Sequence, residues 1–446
     1  MLKNSAPARV ILSLAYPAIL EAYLQNLLGV VDSFFIARLG LIAIDAVGVT
    51  NIYSMTYIGV FSAISTALSV FLARAVGAKQ LERGRSAVWH GYLIAIVFGF
   101  LLSLGSIFLS VPLLHLMGAT GELETTSMPY FKIVLGISVL IALFIAQSAA
   151  FRATGDTKTP LRVGFEMNIL HVILDYVLIF GIGSIPGLGL KGAAYAMVLA
   201  RLYASIRLWI KSRKKPAIAL GRSDTALNFS LLKDMVVFAI PASMERLSMR
   251  LGQVLYFGLI VRMGIEVYAT HNIAGNLTTF AYTIGGGFAT AASVTIGQAI
   301  GEKNITDIES YRKWGWRLSA ISMTLATIIL CVTSPWLGLL YTHNKNVIHL
   351  LTVILAIDIL SQPFLASVLI DTAAIQAEGN SKYPMMVTTI GIWGIRTLGI
   401  YVFAWYFKFG LPAVWLSIGL DNLLRAALFL RYKRKRNLAH ILKKYA

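Results

Sequence analysis

The chain is poor in charged residues and has almost no cysteine. Only 13% of its 446 residues are charged, about half of the roughly 25% that is typical of soluble domains, whereas 57% are apolar. The single cysteine, Cys331, lies in an apolar run, which excludes a disulfide framework and a thiolate metal site. The composition therefore indicates an integral membrane protein.

Acidic residues are scarce as well. Twenty Asp and Glu residues stand against 39 Lys and Arg, for a formal net charge of +19. A strongly basic chain suggests nucleic acid at first sight, but here the basic residues sit in short loops between apolar segments. The basic tail Arg431-Tyr-Lys-Arg-Lys-Arg436 is suited to anionic lipid. We therefore expect membrane lipid, and not nucleic acid, as a partner.

Enzyme signatures are also missing from the sequence. It contains no His-Glu-X-X-His, Gly-X-Ser-X-Gly or Gly-X-X-X-X-Gly-Lys-Ser/Thr motif. Without the last motif, and without a polar domain to house ATP, transport would have to be driven by an ion gradient, and no cofactor is expected. A membrane enzyme is the least favoured interpretation.

Twelve apolar segments are long enough to span a bilayer, which takes ~20 residues in a helix. They cover approximately 11–36, 45–72, 87–110, 128–150, 161–181, 189–210, 232–260, 268–298, 314–337, 350–375, 383–405 and 412–431. With both termini inside, the inner segments hold 27 Lys and Arg and the outer loops hold 6. Because positive residues accumulate on the cytoplasmic side, this predicts a multi-pass protein of the plasma membrane (the bacterial inner membrane) with both termini in the cytoplasm.

An internal repeat relates the first half of the chain to the second. Arg152-Ala-Thr-Gly-Asp-Thr-Lys-Thr-Pro160 returns as Gln376-Ala-Glu-Gly-Asn-Ser-Lys-Tyr-Pro384. The same offset in numbering matches Pro17 with Pro241, Glu21 with Glu245, and Arg38-Leu-Gly40 with Arg262-Met-Gly264. Each half has six spans, an even number, so the halves share one orientation and are related by an axis along the membrane normal. The predicted domains are a six-helix bundle at 1–215, a linker at 216–228, and a second six-helix bundle with the basic tail at 229–446.

Twelve spans in two parallel halves, with a Gly-X-X-Lys-X-Pro turn after the fourth span of each half, resemble the MATE (multidrug and toxic compound extrusion) family of the MOP flippase superfamily. Val31-Asp32, Leu39-Gly40 followed by Asp45-Ala-Val-Gly48, and Gly297-Gln-Ala-Ile-Gly301 carry the same resemblance. It implies an all-α fold of two bundles in a V around a central cleft. It also implies antiport of amphipathic, often cationic compounds against protons or sodium, and we expect a monomer.

Two intramembrane acids are the leading candidates for ion coupling. Asp32 lies beyond the middle of the first span and Asp175 lies deep in the fifth, which places both in the outer half of the first bundle. Ionised groups within a bilayer are costly, and two neighbouring carboxylates in a low dielectric will not both stay ionised. The sequence therefore predicts a proton-binding pair. The alternative is that each acid merely accepts hydrogen bonds from neighbouring helices.

Two departures from the family pattern bear on the coupling ion. His171 stands one turn before Asp175, where the family commonly has asparagine, and Met197 stands where it often has threonine. Sodium prefers hard oxygen ligands, whereas histidine titrates near physiological pH, so protons are favoured over sodium. Asn168 is able to replace the missing asparagine, which keeps a sodium site at Asp32, Asn168 and Asp175 open.

The remaining intramembrane charges are expected to form a secondary network of structural pairs, because buried charges are usually paired. Matching their depths predicts Arg250 with Asp358, Arg396 with Asp421, and Glu21 with Arg201. Some MATE transporters bind a cation through a glutamate in helix 7 and an aspartate in helix 10. Those positions are Met249 and Ser367 here, one turn away from Glu245 and Asp371.

Aromatic residues recur on the spans that line the cleft in MATE proteins, and such a wall would bind flat cations. Together with Met197, the cavity candidates are Tyr23, Phe35, Tyr53, Tyr57, Phe61, Tyr256, Phe280 and Tyr282. The leading hypothesis is a cation-coupled drug antiporter. The alternative is a flippase for an anionic lipid-linked precursor, which would use intramembrane arginines facing the cavity.

Overall fold

The computed structural model describes residues 7–183, 185–439 and 442, and most of them lie in helices. The α-helices are α1 Pro7–Ala37, α2 Leu41–Gly77, α3 Leu81–Phe108, α4 Ser110–Leu116, α5 Glu122–Gly136, α6 Ser138–Ala153, α7 Lys158–Phe180, α8 Leu190–Ser212, α9 Phe229–Val261, α10 Ile265–Gly301, α11 Ile305–Leu339, α12 Lys345–Ala377, α13 Lys382–Thr389 and α14 Gly410–Lys435. A short antiparallel hairpin of β1 Gly181–Ile182 and β2 Ile185–Pro186 follows α7, and a 3-10 helix covers Arg222–Thr225.

Each of the twelve predicted spans corresponds to a helix or to a consecutive helical stretch, which confirms the all-α membrane fold. The fourth span, Glu122–Ala153, is broken at Ile137 between α5 and α6. The eleventh continues from α13 through π-helical segments at Ile390–Thr397 and Ile400–Tyr406, a conformation that is rare in proteins. Within the described residues, ten helical stretches are long and apolar enough to cross a membrane. The helices α9 and α10, with 33 and 37 residues, are long enough but do not meet the same criterion of hydropathy and charge.

The chain divides into two compact units. Unit 1 comprises Met1–Ile19 and Met244–Ala446, and unit 2 comprises Leu20–Ser243. Both divisions fall just after a helix-internal proline, Pro17 in α1 and Pro241 in α9. Proline removes a backbone hydrogen bond and favours a kink. The sequence placed the boundary in the linker at 216–228, whereas these compact units assign the first part of α1 to unit 1 and the first part of α9 to unit 2.

The cores of the two units explain this assignment. In unit 1, Val10, Ile11 and Leu14 of α1 are buried in one apolar cluster with Phe288 and Ala291 of α10. In unit 2, the first part of α9 contributes Met235, Phe238 and Ala239 to the main core. Within a membrane, helices associate through van der Waals packing and not through exclusion of water, so each unit depends for its packing on a segment from the other half of the sequence.

The basic tail is also bound within unit 1. Lys433 and Arg436 form ion pairs with Glu309 at the start of α11, and Arg436 pairs with Glu378 as well. Leu438 and Leu442 pack on the same apolar cluster as Val10. Two of the basic side chains that the sequence assigned to anionic lipid are therefore engaged by carboxylates of the protein itself.

The linker is fastened to unit 2 by polar contacts. Lys215 Nζ lies 2.6 Å from a carboxylate oxygen of Asp156, and Arg85 Nε lies 2.8 Å from Asp224. The backbone N–H of Asn228 donates to Nε2 of His90 at 2.9 Å. Hydrogen bonds from Arg85 hold the pKa of Asp224 below its usual value. The segment between α8 and α9 is thus part of the unit rather than a free tether.

Asp156→Asn is expected to lower stability at neutral pH, and the loss should disappear in acid. Asp156 also accepts hydrogen bonds from the backbone and hydroxyl of Thr159 at the start of α7. Partial burial acts to raise the pKa of Asp156, but the hydrogen bonds from Lys215 and Thr159 outweigh it and hold the pKa below its usual value. A carboxyl with a depressed folded pKa contributes stability above its unfolded pKa, and that contribution is lost as the pH falls through the folded pKa.

The measurement is thermal unfolding of the detergent-solubilised protein across a pH series. We expect a loss of less than about 1 kcal/mol at pH 7, because an Asn oxygen still accepts from Thr159 and the ion pair with the partly exposed Lys215 contributes little. Asp45→Asn, at an exposed carboxylate of α2, is the control. A difference from wild type that stayed constant down to acidic pH would contradict this role of Asp156.

Candidate ion-coupling site

Three titratable side chains of unit 2 meet between α1 and α7. His171 and Asp175 are one turn apart on α7 and therefore share a helix face. Nδ1 of His171 lies 3.9 Å from a carboxylate oxygen of Asp32, and its Nε2 lies 3.6 Å from one of Asp175. One ligand atom from each residue lies within 4.8 Å of the others. The two acids that the sequence singled out are thus neighbours, with the imidazole beside both.

The cluster is shielded from solvent and incompletely hydrogen-bonded. Asp175 is 1% exposed and His171 3% exposed, whereas Asp32 is partly buried. One carboxylate oxygen of Asp32 and one of Asp175 are buried with no hydrogen-bond partner among the described residues. A buried acceptor without a partner is costly. A bound proton or cation would remove that cost.

Asn168 lies one turn before His171 on α7 and is also buried. Its Nδ2 donates a hydrogen bond to the backbone carbonyl of Leu24 on α1, at 3.0 Å. Its side-chain oxygen has no partner in the described part of the chain. Asn168 therefore connects α7 to α1 by a hydrogen bond. Its side-chain oxygen could serve as a ligand in a sodium site.

Two further residues belong to the surroundings of this cluster. Arg201 of α8 lies within electrostatic range of Asp32 and His171. Tyr130 of α5, which is 1% exposed, lies within the same range of Asp32 and Asp175. From the sequence, Arg201 was predicted to pair with Glu21 and not with this cluster. Tyr130 was not predicted, because it carries no charge and lies in no motif. Two carboxylates with one guanidinium leave one negative charge to be balanced.

The predicted partner of Glu21 was wrong. Glu21 is 5% exposed and accepts from Nη1 of Arg152, at 3.1 Å to both of its oxygens. Arg152 is the next-to-last residue of α6, whereas depth counting assigned it to the cytoplasmic segment 151–162 and did not consider it as a partner of Glu21.

Of the two ion pairs predicted for unit 1, one is present and the other is not. Arg396 lies 2.7 Å from Asp421, which confirms that pair, and Arg425 binds the same carboxylate at 2.6 Å. The pair of Arg250 with Asp358 was wrong. Arg250 is exposed and donates to Gln253 at 3.3 Å, whereas Asp358 accepts from Ser361 at 2.8 Å and Gln362 at 2.6 Å.

The two acids near the alternative cation positions are engaged by other partners. Asp371 accepts from Arg312 at 2.6 Å and from Ser367 at 2.7 Å. Glu245 accepts from Gln376 and Thr388, both at 3.1 Å. Asp371 is thus a salt-bridged acid, whereas Glu245 has hydrogen bonds from neutral donors.

The aromatic candidates fall into two groups. Tyr53 donates to the carbonyl of Leu113 at 2.7 Å, and the hydroxyl of Tyr57 lies 2.8 Å from that of Ser106. Phe61 and Tyr256 are 1% and 4% exposed, so these four rings are occupied by core packing. The rest are partly buried or exposed: Tyr23, Phe35, Met197, Phe280 and Tyr282.

The chain matches the MatE family model twice, at residues 17–177 and 241–402. The chain belongs to the MatE family. The two matches start at Pro17 and Pro241, which are equivalent positions of the internal repeat. Members of the MATE family are transporters, so the chain is a multi-pass membrane transporter and not an enzyme.

Curated relatives cover the length of this MATE-family transporter. It is 28% identical over 422 residues to the probable multidrug resistance protein NorM of Thermotoga maritima, spanning 95% of the chain and 91% of that relative. It is 27% identical over 431 residues to the uncharacterized transporter YisQ of Bacillus subtilis, spanning 95% and 93%.

Solved structures show the same fold. A crystal structure of MATE in complex with MaL6 matches the MATE-family transporter described here with a TM-score of 0.89 at 21% identity, covering 98% of each chain. A MOP superfamily transporter from Pyrococcus furiosus also matches with a TM-score of 0.89 at 21% identity, covering 98% of this chain and 97% of that one.

Proposed function

We propose that this transporter exports amphipathic, often cationic compounds across the bacterial inner membrane in exchange for protons, by alternating access. The observation that carries the proposal is the cluster of Asp32, His171 and Asp175, in which each carboxylate has one buried oxygen without a hydrogen-bond partner among the described residues. The substrate class is supported by the relatives named as multidrug resistance proteins.

The chemistry of the cluster favours a proton over sodium. A sodium ion is best held by several oxygen ligands, but an imidazole occupies the space beside both carboxylates. The His171 nitrogens face Asp32 and Asp175 at 3.9 and 3.6 Å, so the ring is placed to exchange a proton with either acid. With Arg201 balancing one carboxylate, one proton completes the charge balance of the site.

Coupling would follow from competition between proton and substrate for one conformational equilibrium. Protonation of the Asp32–Asp175 pair from outside neutralises it, changes how α1 contacts α7, and weakens substrate binding. Release of the proton to the cytoplasm restores the pair and the affinity. By linkage, the substrate then weakens proton binding to the same degree that the proton weakens substrate binding.

The test is ethidium efflux from proteoliposomes with an imposed pH gradient or an imposed sodium gradient. We expect efflux driven by the pH gradient alone, and sodium-driven efflux without a response to pH would refute proton coupling. No ethidium movement under either gradient in folded protein would refute the drug exporter.

His171→Asn is expected to weaken pH-driven efflux and to introduce a sodium response, because it replaces an imidazole that can pass a proton between the two acids with an amide oxygen beside Asn168. His271→Asn, at a buried histidine of unit 1, is the matched control and should leave the ion preference unchanged. A pH response of His171→Asn identical to wild type would exclude the imidazole from coupling.

The flippase alternative would need several intramembrane arginines that face the substrate without carboxylate partners. Of the four arginines that motivate it, Arg396 and Arg425 both bind Asp421. Arg201 lies within electrostatic range of Asp32, and Arg250 is exposed and donates to Gln253. The carboxylate pairing of Arg396 and Arg425 supports the exporter over the flippase.

A further inference from the structure

The internal repeat places one buried glutamate in each unit with a different partner. Glu21 on α1 and Glu245 on α9 hold equivalent positions of the repeat and are 5% and 6% exposed. Their partners are equivalent as well, since Arg152 and Gln376 begin the two copies of the signature segment. Each donates from 3.1 Å, Arg152 to both oxygens of Glu21 and Gln376 to one oxygen of Glu245. The contact is present in both units, but its donor is positively charged only in unit 2.

The two units differ at a second position beside the glutamate. Gly164 on α7 and Thr388 on α13 are again equivalent, because each lies one helical turn after the proline of its signature segment. A Cβ atom at Gly164 would lie 3.8 Å from the Cγ of Glu21, so this helix faces the glutamate without contributing a donor. In unit 1 the hydroxyl of Thr388 fills that place and donates to Glu245 at 3.1 Å. One charged donor in unit 2 is thus replaced by two neutral donors in unit 1.

The two sets of donors have different consequences for a proton. A guanidinium can only donate, so Arg152 stabilises Glu21 as a carboxylate and opposes its protonation. The amide of Gln376 and the hydroxyl of Thr388 can each either donate or accept. They are therefore able to satisfy Glu245 as a carboxylate and, after turning, as a carboxylic acid that donates its proton.

The charged groups around Glu245 set what its protonation would do. Arg425 on α14 lies within electrostatic range of Glu245, and Arg246, the next residue of α9, is exposed. Arg425 and Arg396 share the single carboxylate of Asp421, which leaves one positive charge. An ionised Glu245 balances that charge. On α12, the acid Asp371 is neutralised by Arg312.

We propose that Glu245 is a second proton-binding group of this transporter, separate from the Asp32 cluster. Uptake of a proton by Glu245 leaves one net positive charge on Arg396, Asp421 and Arg425, which disfavours a cationic substrate in unit 1. The predicted effect on a cationic substrate rests on the proposed function, whereas proton binding by Glu245 does not depend on it.

The first test is an infrared pH titration of the purified transporter, which detects the carbonyl stretch of protonated carboxyl groups. The titration is made in the Asp32→Asn/Asp175→Asn double variant, in which the first cluster cannot contribute a band. We expect a titrating carboxyl band in that background, which Glu245→Gln removes and Glu21→Gln retains. A band of that background that survives unchanged in Glu245→Gln would overturn the proposal, whatever the outcome of ethidium transport.

A second variant keeps Glu245 and gives it an arginine partner like that of Glu21 in unit 2. Gln376→Arg should hold Glu245 ionised and remove the same titrating band, so the test remains decisive if Glu245→Gln does not fold. A band that persists in folded Gln376→Arg would count against the proposal.

Ethidium binding to purified protein at neutral pH tests the link to substrate. Glu245→Gln mimics the protonated state and should raise the Kd by on the order of tenfold, the effect of one charge at about 10 Å in a medium of intermediate dielectric. An unchanged Kd in Glu245→Gln would refute the predicted effect of Glu245 protonation on substrate binding.

Discussion

Asp32→Asn is expected to reduce pH-driven ethidium efflux to the level of empty vesicles while the protein remains folded. The amide has nearly the shape of the carboxylate but cannot take up and release a proton, so the variant cannot alternate between the two charge states of the cluster. Because Asp32 is only partly buried and one of its oxygens already has no partner among the described residues, the substitution should alter stability by less than about 1 kcal/mol.

Asp175→Asn should show the same loss of efflux, and the double variant should be no worse than either single one. Residues that act as one unit have strongly non-additive effects. Asp45→Asn, which removes an exposed carboxylate from α2 of the same unit, should transport normally. Full pH-driven efflux by folded Asp32→Asn would show that the cluster does not couple transport to protons.

Asp421→Asn is expected to have the largest effect on stability. The carboxylate is fully buried and accepts from Arg396 at 2.7 Å and from two nitrogens of Arg425 at 2.6 Å. Packing is tight there, since a Cβ atom at Gly391 would clash with the Asp421 carboxylate. Removing one partner of a buried ion pair costs about 3–5 kcal/mol because the remaining charge is left uncompensated, and here two guanidinium groups remain.

The measurement is the yield and thermal midpoint of detergent-solubilised protein on size exclusion. Asp224→Asn is the matched control, because it makes the same substitution at a partly exposed ion pair with Arg85. Ion pairs at the surface contribute about 0–1 kcal/mol, so the control should stay close to wild type. Equal losses in the two variants would contradict the view that burial of Asp421 decides the effect.

Hydropathy and charge predicted the helices of this protein because a bilayer leaves few alternatives. A segment within the membrane must satisfy its own backbone hydrogen bonds, so an apolar run of sufficient length becomes a helix. The breaks within spans were not predicted. The interruption at Ile137 and the π-helical turns after α13 depend on packing against neighbouring helices, which a single sequence does not display.

The candidate site was predictable to the extent that it consists of charged residues in apolar segments. Asp32 and Asp175 were named for that reason, and they are neighbours. Pairing by depth succeeded for Arg396 and Asp421 but failed for Glu21, because depth is one coordinate and says nothing about which face of a helix a side chain occupies. Tyr130 has no charge, so only the structure associates it with the acids.

The assignment of the first part of α1 to unit 1 has a consequence for synthesis. Val10, Ile11 and Leu14 are synthesised roughly 280 residues before their core partners Phe288 and Ala291, which corresponds to about 15–60 s at the usual rate of translation. Throughout that interval the first segment has no native core to enter. The first part of α1 can therefore reach its native packing only after α10 has been synthesised, so unit 1 is completed when translation is well past residue 291.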